Sequence, residues 1–132
     1  MSKDDILNFK VLFYSYDGVN SQIKEYLTEL YDKNEDAGNK CIAMIQDLPG
    51  YFYSRNKSIK QFTNKKHTFF ELKVKEKNNE FRFFFVVEQP NIIVVYGFTK
   101  KSQKTDKRDV KNGVDQLEMY IRDKTTIPFK FD

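Results

Sequence analysis

Residues 68–98 read TFFELKVKEKNNEFRFFFVVEQPNIIVVYGF, and this stretch decides the fold. From 68 to 76 apolar and charged residues alternate. Phe70, Leu72 and Val74 fall on one face and Glu71, Lys73 and Lys75 on the other, the period of a strand. EFRFFFVVE (80–88) and NIIVVYGF (91–98) are nearly continuous apolar runs, the pattern of strands buried on both faces. Two short polar breaks separate the three. Asn tolerates positive φ, so Asn78-Asn79 reads as a tight turn, and Gln89-Pro90-Asn91 reads as the second. Together they predict an antiparallel three-stranded meander.

Working outward, NFKVLFYSY (8–16) is rich in aromatic and β-branched residues and reads as a further strand. Val19, Ile23, Tyr26, Leu27, Leu30 and Tyr31 recur at helical spacing and predict an amphipathic helix over about 19–33. Ala37, Cys41, Met44, Ile45 and Leu48 predict a second, ending at Pro49-Gly50. Tyr51, Phe52, Tyr53, Ile59 and Phe62 show no clear period, so 51–67 reads as a basic loop holding at most a helical turn. Thr105 is a candidate N-cap for a final helix over about 106–124, with Val110, Val114, Leu117 and Ile121 as its buried stripe. The expected fold is α+β: N-terminal strand, two-helix hairpin, antiparallel three-stranded meander and C-terminal helix, with the helices on one sheet face. The 132 residues suit a single domain, 1–132, with 125–132 as a C-terminal tail.

Composition narrows the function classes. Thirteen Phe and eight Tyr can build a core, which excludes a wholly disordered chain. No run approaches the ~20 apolar residues of a membrane span. The opening Met1-Ser2-Lys3-Asp4-Asp5 lacks the apolar run of a signal peptide, so a cytoplasmic protein without a membrane role is expected. The single cysteine, Cys41, excludes an internal disulfide and a cysteine-built zinc site, and it reads as core. With one histidine, His67, no site needing two is available. There is no P-loop, no dinucleotide fingerprint and no credible Ser-His-Asp set, and neither metal nor cofactor is expected.

The charge is +4 overall and unevenly spread. Residues 17–48 hold seven acids against three lysines. Residues 51–67 hold five cations (Arg55, Lys57, Lys60, Lys65 and Lys66) and no acid. Residues 99–111 hold six cations, including Lys100, Lys101, Lys104 and Lys107, against two acids. This polarity suggests that a polyanion meets the strand-rich half.

Within the meander, an Asn78-Asn79 turn places Lys75 opposite Arg82 and Lys73 opposite Phe84. Like charges directly opposite are unfavourable, and a bound anion would offset the repulsion. Equally, both side chains could reach water from a hairpin end. Arg82, alone in an apolar run, is rarely buried without a partner. It reads either as a structural ion pair, with Glu71 or Glu88, or as a phosphate clamp whose planar fork matches phosphate bidentately. The lysines at 100–107 stand where a helix begins. There they oppose the helix dipole and are better explained by an external polyanion, or else are a solvated surface. A histidine's unperturbed pKa of about 6.5 suits acid–base work, but a lone one such as His67 is more often structural.

FFELKVK (69–75), EFRFFFVV (80–87) and IIVVYGFTKKSQKTDKRDV (92–110) resemble the RelE/ParE superfamily of bacterial type II toxins, most of all its phage-derived HigB-type branch. The resemblance covers 69 to about 124; residues 1–66 match by element order more than by motif. It implies a RelE-like fold and a toxin that enters the ribosomal A site and cuts mRNA without metal. A ribose 2′-OH attacks the adjacent phosphate, giving a 2′,3′-cyclic phosphate and a free 5′-OH. The family's strand arginine falls on Arg82, its basic pair on Lys73 and Lys75, and its following cation on Lys100 or Lys101. The Tyr or His that many members carry next is replaced here by Lys104 and Lys107, which leaves His67 as a reserve acid–base group. Lys57, Lys60, Lys100, Lys101, Lys104 and Lys107 are the expected RNA- and ribosome-binding set. Partners would be the ribosome, mRNA and a helix-turn-helix, HigA-like antitoxin. Two other functions fit the same fold: a ParE-like DNA gyrase inhibitor acting by protein–protein contact, and a non-catalytic nucleic-acid-binding module. The cations on one sheet face favour the nuclease, since a gyrase binder has no need of them.

Overall fold

In the computed structural model, which describes residues 2–100 and 107–131, one mixed sheet runs through the molecule. Its strands are β1 (Lys10–Tyr14), β2 (Ile59–Thr63), β3 (Thr68–Glu76), β4 (Asn79–Glu88), β5 (Asn91–Lys100) and β6 (Thr126–Pro128), in the order β2-β3-β4-β5-β1-β6. The expected meander is present as β3-β4-β5. β1 joins β5 in parallel, Lys10 beside Asn91 through Phe13 beside Val94, and β6 closes on β1 antiparallel. The helices are α1 (Lys3–Leu7), α2 (Gln22–Lys33), α3 (Glu35–Gln46), α4 (Leu48–Tyr53) and α5 (Lys107–Asp123).

The helices cover both faces, not one. α2, α3 and α4 bury Ile23, Leu27, Cys41, Ile45 and Leu48 against Phe13, Leu72, Phe83 and Phe85. α5 buries Leu117 and Tyr120 on the opposite face, against Tyr14, Phe84, Val86 and Ile93. The reason lies in β4: its Phe83-Phe84-Phe85 run presents rings to both sides, and each side must leave water. Among the described residues no helix is long and apolar enough to cross a membrane.

Several boundaries differ from expectation. The 51–67 segment is not a loop: α4 reaches Tyr53, and β2 pairs with β3 along Ile59–Thr63. Pro49 does not end the second helix but opens α4, where the missing N–H is no loss. The 125–132 tail contains β6. α1 was not expected; Ser2 and Asp5 close a capping box at its start. β1 stops at Tyr14 because the Ser15 and Asp17 side chains then fold the chain, Asp17 accepting from the Val19 and Asn20 N–H groups at 2.8 and 2.7 Å. Thr105 and Asp106, expected to start the last helix, lie outside the described residues.

The β3–β4 turn is Lys77-Asn78, one residue earlier than expected. Lys77 takes φ 55°, the positive value that a primed hairpin turn requires at its first central position. Glu76 therefore pairs with Asn79, Lys75 with Glu80, and Lys73 with Arg82. The faces survive this change, but the partners shift.

Candidate functional site

α5 lies over only part of its sheet face. Gly113 lets the helix meet Phe84 closely: a Cβ there would stand 2.3 Å from the ring. At the first turn of α5 the Tyr96 hydroxyl donates to Asp109 at 3.5 Å. Farther along, Tyr120 donates to Glu88 at 3.0 Å, and Lys124 pairs with the same carboxylate at 2.5 Å. Glu88 is thus engaged at the far end and is not the partner of Arg82.

Two rows of cross-strand neighbours lie beyond the first turn of α5. One is Lys73–Arg82–Phe98 and the other Lys75–Glu80–Lys100. Lys60 of β2 stands opposite Glu71 on the same face. Five cations and two carboxylates are thereby gathered on one end of a rigid sheet. Lys73 gives its N–H to the Ser58 carbonyl at 2.8 Å, on the side away from β4. Its pair with Arg82 is therefore the non-hydrogen-bonded kind, with Cα atoms only ~4.5 Å apart. Like charges meet at the closest cross-strand spacing, with Lys73 rather than the expected Lys75 as the opposing residue.

Two carboxylates hold the guanidinium. Arg82 Nη1 meets Glu71 Oε1 at 2.6 Å and Nη2 meets Glu80 Oε1 at 3.0 Å. The side chains of Arg82, Glu71 and Glu80 are 15 %, 8 % and 29 % exposed. Glu71 is thus the buried anchor and Glu80 the accessible second contact. Arg82 Nε is buried and has no hydrogen-bond partner among the described residues. The Arg82 hydrogen bond, aided by Lys100 and Lys75, holds the Glu80 carboxyl below its usual pKa against a smaller opposing effect of burial. A buried ion pair is weak evidence for stability, since apolar residues of similar volume often do as well. What the pair does provide is orientation: two carboxylates fix the guanidinium on strands whose neighbouring positions are Lys73, Lys75 and Lys100.

The remaining site candidates divide. Lys75 is exposed and Lys100 half-buried, both beside Glu80. Lys60 is exposed, its ammonium 5.0 Å from the Phe62 ring centre. Lys57 is exposed just before β2, and Lys107 is exposed at the start of α5. Lys101 and Lys104 lie outside the described residues. His67 precedes β3 at its opposite end, six residues before Lys73 and therefore roughly 20 Å away along the strand. It is not brought to the cluster. Glu80 was not singled out from the sequence; the Lys77-Asn78 register is the signal that would have found it. Among the described residues no group of three or more His, Cys, Asp or Glu side chains is gathered to hold a metal.

The arrangement can hold a phosphodiester over the lysines, present a fixed planar donor to it, and offer both amines and a carboxylate for proton transfer. No curated protein and no solved structure matches the chain significantly. The family model described as Phage derived protein Gp49-like (DUF891) matches residues 25–118, from within α2 to late in α5, and so takes in every strand of the cluster. That family is one of RelE/HigB-like toxins in general, associated with toxin–antitoxin pairs. With more than two-thirds of its length matched, the chain belongs to the phage-derived Gp49-like family.

Proposed function

We propose that this chain is the toxin of a type II toxin–antitoxin pair and acts as a ribosome-dependent mRNA endoribonuclease. The observation that carries the reading is the Lys73–Arg82 pair, flanked by Lys75 and Lys100, on the end of the sheet that α5 leaves uncovered. In the reaction the 2′-oxygen bonds to phosphorus and the bond from phosphorus to the 5′-oxygen breaks. The products are a 2′,3′-cyclic phosphate and a 5′-hydroxyl. In this reading Lys73 or Lys75 is the base that takes the 2′-OH proton, and a neighbouring acid supplies one to the leaving 5′-oxygen. Arg82, already fixed by Glu71, donates to the phosphoryl oxygens as their charge grows, so its effect falls on the transition state. Lys60, Lys100 and the cations that follow hold the RNA backbone electrostatically. A helix-turn-helix antitoxin of the HigA type is the proposed restraint, covering or hiding this basic face.

One observation favours a second reading. Arg82 is satisfied by two carboxylates and needs no phosphate, as in a protein that inhibits DNA gyrase by contact alone. A single experiment separates them. Purified protein is incubated with ribosomes programmed with a defined mRNA, and in parallel with gyrase and relaxed plasmid. New 5′-hydroxyl ends on the mRNA, with supercoiling unaffected, are the expected result. Intact mRNA with stalled gyrase overturns the nuclease reading.

A further inference from the structure

β2 is the sheet's outer edge on the side of β3. The Ser58 carbonyl accepts from Lys73, so residues 58, 60 and 62 turn their backbone groups toward β3. Those of Gln61 and Thr63 then turn outward, where no strand among the described residues meets them. Beside this edge, on the face shared with α4, runs an open groove of about 730 Å³. Ile6, Phe52, Tyr53, Ile59 and Phe70 give it apolar walls, and among the described residues Arg55 is the only charged one that lines it. Tyr53, and Leu7 nearby on α1, are more than two-fifths exposed. The segment 51–67 that forms the edge carries five cations and no acid.

We infer that the β2 edge receives an extended, acidic segment of a partner protein, which adds a seventh strand and sets alternate side chains into the groove. An added strand supplies an N–H and a C=O together every two residues, about 6.8 Å apart, which is what the outward groups of Gln61 and Thr63 require. Apolar walls suit side chains and not a ribose-phosphate chain. Lys60 of β2 and the cations that flank it, Arg55, Lys57, Lys65 and Lys66, oppose a second copy of the same edge, since like charges would face each other across the new pairing, and they attract an acidic strand.

A phage-displayed library of random 12-residue peptides, selected on the whole protein, tests this. Enriched sequences should alternate apolar and acidic residues. The synthesised peptide should slow hydrogen exchange at the Gln61 and Thr63 amides of the wild type. Gln61→Pro removes the outward N–H at an edge position that tolerates proline, and Arg55→Glu reverses the charge in the groove. Each variant, once shown by thermal melt to be folded, should bind the peptide at least tenfold more weakly. The inference is overturned if selection yields no acidic alternating sequence, if the exchange at Gln61 and Thr63 is unchanged, if both folded variants bind as wild type, or if a 12-nucleotide RNA protects the same amides more strongly than the peptide.

Discussion

The two faces of the sheet are made by the same strands and do opposite work. Toward α2 and α3, Leu72, Val74, Phe81, Phe83, Phe85, Ile92 and Val94 are apolar from end to end and at most 2 % exposed. Toward α5, the strands bury Phe84, Val86, Ile93 and Val95 beneath that helix; past its first turn they carry Lys73, Lys75, Glu80, Arg82 and Lys100, with Phe98 the apolar member of the Lys73–Arg82 row. Because side chains alternate along a strand, Phe81 and Phe83 sit directly behind Arg82. Burial on one face fixes the backbone on which the charges of the other are displayed, so the charged end need contribute little to holding the fold.

The largest expected effect tests the apolar face. Phe83→Ala removes a fully buried ring and should lower unfolding free energy by about 3–5 kcal/mol, read by urea titration. Next comes the charged end. Arg82→Lys keeps a cation beside Glu71 but loses the fork, and should lower single-turnover cleavage ~100-fold, with melting nearly unchanged. Arg82→Ala is the poorer probe, because stranding the buried Glu71 carboxylate costs about 3–5 kcal/mol by itself. If folded Arg82→Lys cuts at the wild-type rate, the contrast between the faces loses its functional meaning. Third, Gly113→Ala drives a methyl into the Phe84 ring where α5 meets the sheet, and should destabilise by about 1–3 kcal/mol in the same titration.

The smallest effect concerns pH. The carboxyl of Glu80 titrates below its ordinary value in the folded protein because Arg82 donates to it. Its contribution is therefore present above the ordinary carboxylate pKa of 4.5 and is lost as pH falls through the lower folded value. Glu80→Gln should match wild type in acid and be less stable at neutral pH. Melting curves from pH 3 to 7 that stay parallel would show that the Glu80–Arg82 contact contributes nothing.

The meander and both long helices of the hairpin were legible because their periods are strong: alternation over 70–75, and apolar residues at helical spacing in α2 and α3. Cys41 was legible as core, and burial pushes its thiol up to about 12. β2 was not legible, because an edge strand buries little; Lys60, Gln61 and Thr63 stay exposed and blur the period. The cover on both faces was implicit in the unbroken Phe83–Val87 run, which no one-sided helix layer can satisfy. The Lys73–Arg82 juxtaposition needed the turn position, and a shift of one residue there moves every cross-strand partner. That Arg82 pairs with Glu71 was among the readings the sequence allowed; that Glu80 completes the pair followed only from the register.

The parallel junction of β1 with β5 bears on how the chain reaches this state. Lys10 and Asn91 are neighbours in space but some eighty residues apart in sequence. A chain emerging from its N-terminus therefore holds β1 without its partner until β5 is made, and β6 arrives later still. Closing so long a loop carries an entropic cost that local hairpins avoid, and non-local pairings of this kind are slow. The β3–β4–β5 hairpins, with turns of a few residues, are suited to form first, and β1 to dock onto them. Substitutions in β1 should accordingly act mainly on the unfolding rate and those in β4 on the folding rate. Stopped-flow refolding of Phe13→Ala beside Phe83→Ala would reveal the order; a folding rate slowed equally by both would place β1 in the nucleus.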